Sequence, residues 1–296
     1  MKRRKPWLAA LMSMVVPGLG QLYNGSTRGP IVALFVSGLF TVTAMIFLFD
    51  SLPKLACAVL GGLLIDLIFA VHAWRQAREL MEVELKKFQR WWAYLLYAVL
   101  LYAIPDAYGL LMPTRIQSFQ IPSQSMLPTL LVGDRLVADG WAYWGKDPKR
   151  GDVIVFDYPR DPKIKYVKRV IGVAGDIVEL RQGELYLNGK MVPQRRSGKP
   201  NTFENGWEHV EYIENLEGVE HPIFRVQPMQ VSDFGPVTVP EGQFFTLGDN
   251  RDRSNDSRVW GFVKREEILA QMRYVYFSWD TMTSRIRQER LGEIVK

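Results

Sequence analysis

DVIVFDYPRDPKIKYVKRVIGVAGDIVELRQGELYLNG, residues 152–189, decides the fold class of the larger part of this chain. Its Val- and Ile-rich runs are short, and each ends at Pro, Gly, Asp or Asn. That pattern belongs to strands and tight turns rather than to helices. DVIVFDY (152–158), YVKRVIGV (166–173), DIVELRQ (176–182) and ELYLNG (184–189) read as strands, the last pair joined at Gly183. Working outward, RLVAD (135–139), FFTLG (244–248), VWGFV (259–263) and YVYFSW (274–279) also read as strands, and KREEILAQM (264–272) as a helix. Between Asn188 and Gln243 the texture changes to RRSGKPNTFENGW, HVEYIENLEGVEHPIFRV and PMQVSDFGPVTVP. Residues 188–243 are therefore expected to form a smaller β lobe inserted between two core halves, 113–187 and 244–296. The expected fold is N-terminal transmembrane helices followed by a mostly antiparallel β domain large enough to bury a core.

The first 112 residues hold most of the apolar character. PIVALFVSGLFTVTAMIFLF (30–49) carries no charge and has the length of a membrane span. LACAVLGGLLIDLIFAVHAW (55–74) is a second candidate, interrupted by Asp66 and His72. WWAYLLYAVLLYAIPDAYGLLM (91–112) is a third, with Trp91 and Trp92 placed as interfacial anchors. Residues 7–23 are also apolar, but Pro17, Gly18, Gly20 and Gln21 break the run, so a re-entrant or interfacial hairpin is expected there. The basic opening MKRRKP followed by apolar residues also fits a signal peptide. Three further apolar segments and the lack of a small-residue cleavage site favour retention. Lysines and arginines crowd MKRRKP and the 75–90 stretch, whereas the 50–54 connection holds only Lys54. The positive-inside rule puts the first two in the cytoplasm and the third outside. Three spans satisfy it and deliver residues 113–296 to the outer face; four spans would leave that domain in the cytoplasm.

Composition removes several classes. The 296 residues carry a net charge of +6, but the positive charge clusters beside apolar segments, so no nucleic-acid partner is expected. A single Cys, Cys57, rules out an internal disulfide and sits in an apolar run. Three histidines, His72, His209 and His221, are too scattered for a metal site, and His209 and His221 read as surface residues. GVAGD (172–176) and GDN (248–250) lack the spacing of a phosphate loop. No metal or cofactor is expected.

Serine chemistry with a lysine base remains. FQIPSQSMLPTLLVGD (119–134) holds Ser123 and Ser125 among apolar residues and two prolines. In IKYVKRVIGVAGD (164–176), strand alternation puts Tyr166, Lys168 and Val170 on one face and Val167, Arg169 and Ile171 on the other. Two readings of Lys168 stand at this point. It is a surface lysine whose stem snorkels, or a buried amine whose pKa falls far enough for the neutral form to accept a serine proton.

Four blocks carry a resemblance: IPSQSMLPTL (121–130), GDVIVF (151–156), YVKRVIGVAGD (166–176) and GDNRDRSNDSRVWGFV (248–263). In this order, after a membrane anchor, they resemble the bacterial type I signal peptidases (leader peptidases), membrane-bound Ser/Lys endopeptidases. The resemblance implies that Ser125 is the nucleophile and Lys168 the general base. It implies that Ser123 joins the Ser125 N–H in the oxyanion hole; a local turn bond is the other use of that hydroxyl. Ser254 matches the serine that orients the lysine, within a charged framework of Asp252, Asp256 and Arg258. Phe119, Ile121, Pro122, Met126, Leu130, Tyr166 and Val167 match the lining of small substrate pockets, though core packing also accounts for them, for Leu130 above all. The implied partners are preproteins with signal peptides, cut after small residues of Ala-x-Ala type, and membrane lipid. The implied place is the bacterial cytoplasmic membrane, multi-pass, with the catalytic domain on the periplasmic face. Two departures stand out: no cysteine serves the disulfide common in this family, and the anchor is longer than usual. A Ser/Lys peptidase of narrow substrate range and a membrane scaffold are the competing readings.

Overall fold

The computed structural model describes residues 4–48, 51–80, 86, 89–111, 116–204, 207–227 and 233–295. Parts of the basic 75–90 stretch, the expected span ends at 49 and 112, and residues 228–232 of the expected lobe lie outside the described residues. The chain divides into two compact units, Met1–Thr114 and Arg115–Lys296.

The first unit is helical: α1 (Pro6–Val15), α2 (Leu19–Tyr23), α3 (Arg28–Phe47), α4 (Leu52–Glu79) and α5 (Trp91–Leu111). The last three overlap the expected spans. Among the described residues, α4 alone is long and apolar enough to cross a membrane, while the apolar stretches of α3 and α5 are shorter. Residues 7–23 hold α1 and α2, with Gly18 (φ +88°) at the turn between them. A side chain at Gly20 would begin 2.0 Å from the Ala9 carbonyl oxygen, so the approach of α2 to α1 requires glycine. Gln21 and Asn24 then donate to the Phe69 and Ala73 carbonyls of α4, each at 2.8 Å. The PGLGQLYNG stretch thus ties α1 and α2 to α4 by buried amides, which matter most where no water competes.

The second unit opens with β1 (Ile116–Gln120), β2 (Asp134–Asp139), β3 (Val153–Tyr158) and β4 (Asp161–Gly172). Next come β5 (Ile177–Arg181), β6 (Glu184–Leu187), β7 (Lys190–Met191), β8 (Gln194–Arg196) and β9 (Thr202–Glu204). β10 (Trp207–Leu216), β11 (Val219–Gln227), β12 (Phe234–Thr238) and β13 (Gln243–Leu247) follow. After the short helix α6 (Ser257–Trp260) the chain closes with β14 (Val263–Lys264), β15 (Ile268–Asp280) and β16 (Arg285–Ile286). The named strand pairs are antiparallel. The main sheet runs β1-β2-β15-β3-β4-β13-β14, with β16 on β15. A second sheet joins β11, β10, β8 and β9, and a third joins β12, β5, β6 and β7. β5 and β6, which precede residue 188, therefore share a sheet with β7 and β12, which follow it.

The core forms where these sheets turn their Val, Ile and Leu faces inward. Ile121, Met126 and Leu130 pack with Leu136, Val153, Val155 and Met272. Ile154, Phe156 and Val170 pack with Trp260 and Val263 on another side. Each such side chain, fully buried, contributes about 1.5–3 kcal/mol.

Three expectations are corrected. Residues 259–262 are not a strand, which begins only at Val263: Asp256 caps α6, accepting from the Arg258 N–H, and Gly261 (φ +94°) ends it. Residues 264–272 are not a helix. After one 3-10 turn at Arg265–Glu267 they become the start of β15, where Ile268, Ala270 and Met272 alternate inward. Good helix formers yield there to a central position in the sheet, between β2 and β3. His209 and His221 are not on the surface. Both are buried between strands, His209 against the Phe224 ring and His221 beside Glu214.

Candidate active site

Four segments meet around Ser125. The 121–134 loop is pinched at its base, where Ile121 N–H donates to the Asp134 carbonyl and Gly133 N–H to that of Ile121. Inside it, the buried side chains of Met126 and Leu130 anchor a turn that leaves Ser123 exposed and Ser125 half-buried. On β4, the register with β3 sets Ile154 opposite Lys168 and Phe156 opposite Tyr166. Alternation therefore drives Lys168 into an apolar face, the buried one of its two readings, and only 3% of it is exposed.

The Lys168 amine donates to Ser125 Oγ at 2.8 Å and to the Val167 carbonyl at 3.0 Å. Burial among apolar neighbours pushes its pKa down to about 8, against the opposing pull of Asp256 and Asp249. Ser123 Oγ lies 3.3 Å from Ser125 Oγ. One hydroxyl is thus held between a lysine that loses its proton near neutrality and a second hydroxyl.

The 248–258 segment completes the site. Asn250 N–H donates to the Ser125 carbonyl at 3.1 Å, and its side-chain amide to the Gln124 carbonyl at 3.0 Å. A side chain at Gly248 would begin 2.2 Å from Ser254 Oγ and 2.4 Å from the Ser125 carbonyl oxygen, so only glycine fits between them. Ser254 is therefore next to the Ser125 backbone, but its buried hydroxyl makes no hydrogen bond, to Lys168 or to any other described residue. Asp256 accepts from Gly248 N–H at 3.1 Å and pairs with Arg258 at 2.8 Å. Asp252 turns away from this group and accepts from Val226 N–H on β11.

Of the residues matched to substrate pockets, Ile121, Met126 and Leu130 are buried in the core, with Phe119 and Val167 packed against it. Pro122 is exposed, and Tyr166 stacks on Tyr158 at 4.4 Å between centroids. Two strand edges stand open beside Ser125 and Lys168. β1 pairs only with β2, and β13 covers β4 from Arg169 onward, leaving 165–167 bare on that side among the described strands.

Sequence reasoning missed the buried ion pairs. Arg169 leaves the opposite face of β4 from Lys168, not into solvent but into a two-bond pair with Asp249, at 2.8 and 2.7 Å. Thr129 of the 121–134 loop donates to the same carboxylate. Arg251 pairs with Glu214 of β10, and His221 lies beside it. The equal count of acids and bases in 249–258 hinted at such a network, but nothing in HVEYIENLE marks Glu214 as the buried acid.

Fold and site together define an antiparallel β domain that presents a serine hydroxyl to a buried lysine amine. Residues 89–279 match the family described as signal peptidase, peptidase S26, and the chain belongs to that family. It is 38% identical over 189 residues to a signal peptidase I of Pseudomonas fluorescens, covering 55% of this chain and 66% of the relative. Against signal peptidase I of Pseudomonas aeruginosa it is 37% identical, with the same coverage. Against that of Aquifex aeolicus it is 36% identical, covering 55% of this chain and 76% of the relative. The chain thus spans just under two thirds of the Pseudomonas relatives' length.

Proposed function

We propose that this protein is a membrane-bound serine endopeptidase that removes N-terminal signal peptides from exported preproteins. The observation that carries the reading is the 2.8 Å hydrogen bond from the buried Lys168 amine to Ser125 Oγ. Neutral Lys168 takes the Ser125 proton as Oγ attacks the scissile carbonyl, then returns it to the leaving amine. The Ser125 N–H and the Ser123 hydroxyl hold the oxyanion, each worth about 3–4 kcal/mol in such sites. Water then releases the acyl group from Ser125.

The open edges of β1 and of residues 165–167 suit an extended substrate that binds as an added strand. Small apolar pockets lined by Phe119, Pro122, Tyr166 and Val167, floored by the buried Ile121, Met126 and Leu130, accept Ala-like side chains at the first and third positions before the cut. Asp256 and Arg258 act on the Lys168 amine through their charges, Ser254 lies beside the Ser125 backbone at Gly248 where the resemblance assigns it to orienting the lysine, and Asp252 fixes the same loop to β11. Residues 1–112 anchor the enzyme in the bacterial cytoplasmic membrane by three spans, and residues 113–296 face the periplasm. Reporters fused after Arg90 and after Met112 test that topology, with the first cytoplasmic and the second exported; the reverse contradicts it.

The activity itself is tested with the purified full chain in detergent and a preprotein carrying an Ala-x-Ala junction. Mass spectrometry should find one cut, after the last Ala, abolished when that Ala becomes Phe. A well-folded protein that leaves the junction intact overturns the reading.

A further inference from the structure

Glu214 touches none of the reacting atoms, yet it is joined to the loop that holds them. Its buried carboxylate receives Arg251 by two hydrogen bonds, Nη1 to Oε2 at 2.6 Å and Nη2 to Oε1, and His221 Nε2 stands 3.3 Å from Oε1. Arg251 adjoins Asn250, which holds the Ser125 and Gln124 carbonyls. Phe224 N–H donates to the Asp249 carbonyl at 2.8 Å, so β11 is stitched to the same loop.

Four acid–base pairs surround that loop: Arg169–Asp249, Arg251–Glu214, Arg225–Asp252 and Arg258–Asp256. Their charges cancel pair by pair. Lys168 feels Asp256 and Asp249, which favour its ammonium, and Arg258, which disfavours it. Arg251 faces the same two aspartates besides Glu214, and His221 faces both Glu214 and Asp249.

We infer that Glu214 is a positioning and tuning residue for the Lys168 base: by neutralising Arg251 it keeps that cation from offsetting Asp249 and Asp256 at the lysine. The inference rests on the role given to Lys168 above. Removing the Glu214 charge leaves Arg251 unpaired, adds positive potential at the amine and moves its titration to lower pH. Removing the Arg251 charge does the opposite. A residue that only braced the fold would move the titration in neither case. The two single variants are expected to shift the midpoint in opposite directions.

The test reads Lys168 directly, in the full chain in detergent with lysine labelled at 13Cε, its resonance assigned by its loss in Lys168→Met. Measurements are made in a His221→Gln background, so that the imidazole cannot take up or release the charge. Glu214→Gln should lower the midpoint, Arg251→Gln should raise it, and Glu214→Gln with Arg251→Gln together should restore it. Unmoved midpoints, or shifts of the same sign in both single variants, overturn the inference. If Glu214→Gln does not fold, Arg251→Gln alone decides by the sign of its shift. The readout needs no turnover, so a chain that cleaved no preprotein would sink the proposed activity and still leave this result standing or fallen by itself.

Discussion

Ile154 on β3 stands directly across from Lys168 on β4, and it is completely buried. This apolar neighbour, with Phe156 and Tyr166 one pair further on, removes water from the amine and explains why its pKa falls to about 8. The charged form is disfavoured, and the neutral form is the one that can accept the Ser125 proton.

The first prediction concerns rate against pH. kcat/KM should climb as Lys168 deprotonates and level off above about pH 8. Lys168→Arg keeps the charge but cannot lose a proton in this range, so it should retain under about one part in a thousand of the activity. Initial rates on a fluorogenic signal-sequence peptide from pH 6 to 10 check both, and substantial activity in Lys168→Arg removes the lysine from the mechanism.

The second concerns stability. An unfolded lysine keeps its proton to about 10.5, whereas the folded Lys168 keeps it only to about 8, so at pH 7 its charge opposes folding. Lys168→Met should therefore be inactive yet more stable at pH 7, by up to about 3 kcal/mol. The gain should shrink between pH 8 and 10.5, where the wild-type lysine is already neutral in the folded state. Denaturant melts at pH 7 and pH 10 measure the difference; a variant less stable at pH 7 contradicts this account of the site.

The third separates a catalytic Ser123 from a structural one. Ser123→Ala should lower kcat by about 10²–10³ and change KM little. Its stability should fall by no more than about 1 kcal/mol, the worth of one neutral hydrogen bond. Ser123→Thr keeps the hydroxyl and should keep part of the rate. Near-normal kcat in Ser123→Ala would assign the second oxyanion donor elsewhere.

The fourth tests the close approach at Gly248. A methyl group there meets Ser254 and the Ser125 carbonyl at 2.2–2.5 Å, so Gly248→Ala must displace the nucleophile's backbone. A displacement near 1 Å costs about 100-fold in rate, and kcat should fall by at least that much. Parallel measurement of kcat and Tm shows whether the loss exceeds what unfolding explains; unchanged kcat would show that the packing is looser than described.

The meeting of Ser125 and Lys168 was legible because each motif block sits on a local feature. Alternation in YVKRVIGV reveals which face Lys168 shares, and the prolines of IPSQSMLPTL announce an irregular loop. Other features depend on partners distant in sequence. KREEILAQM has helical composition, and only its place between β2 and β3 makes it a strand. SRVW becomes a helical turn because Asp256 caps it, which the valine and tryptophan do not foretell. His221 and Glu214 sit among alternating charges that read as a wet strand, and they are buried because Arg251 arrives from another part of the chain. The place of Ser254 beside Gly248 depends likewise on how the 248–258 loop meets the Ser125 backbone, which its own neighbours in sequence do not foretell.

If Ser125 is the nucleophile, it carries the acyl group during cleavage. Acid quenching of the full chain in detergent, within the first turnovers on a preprotein with an Ala-x-Ala junction, should trap the ester. Peptide mapping should then find the signal peptide attached to Ser125, and neither adduct nor cleavage in Ser125→Ala. Cleavage that persists in Ser125→Ala, or an adduct on any other residue, would contradict it.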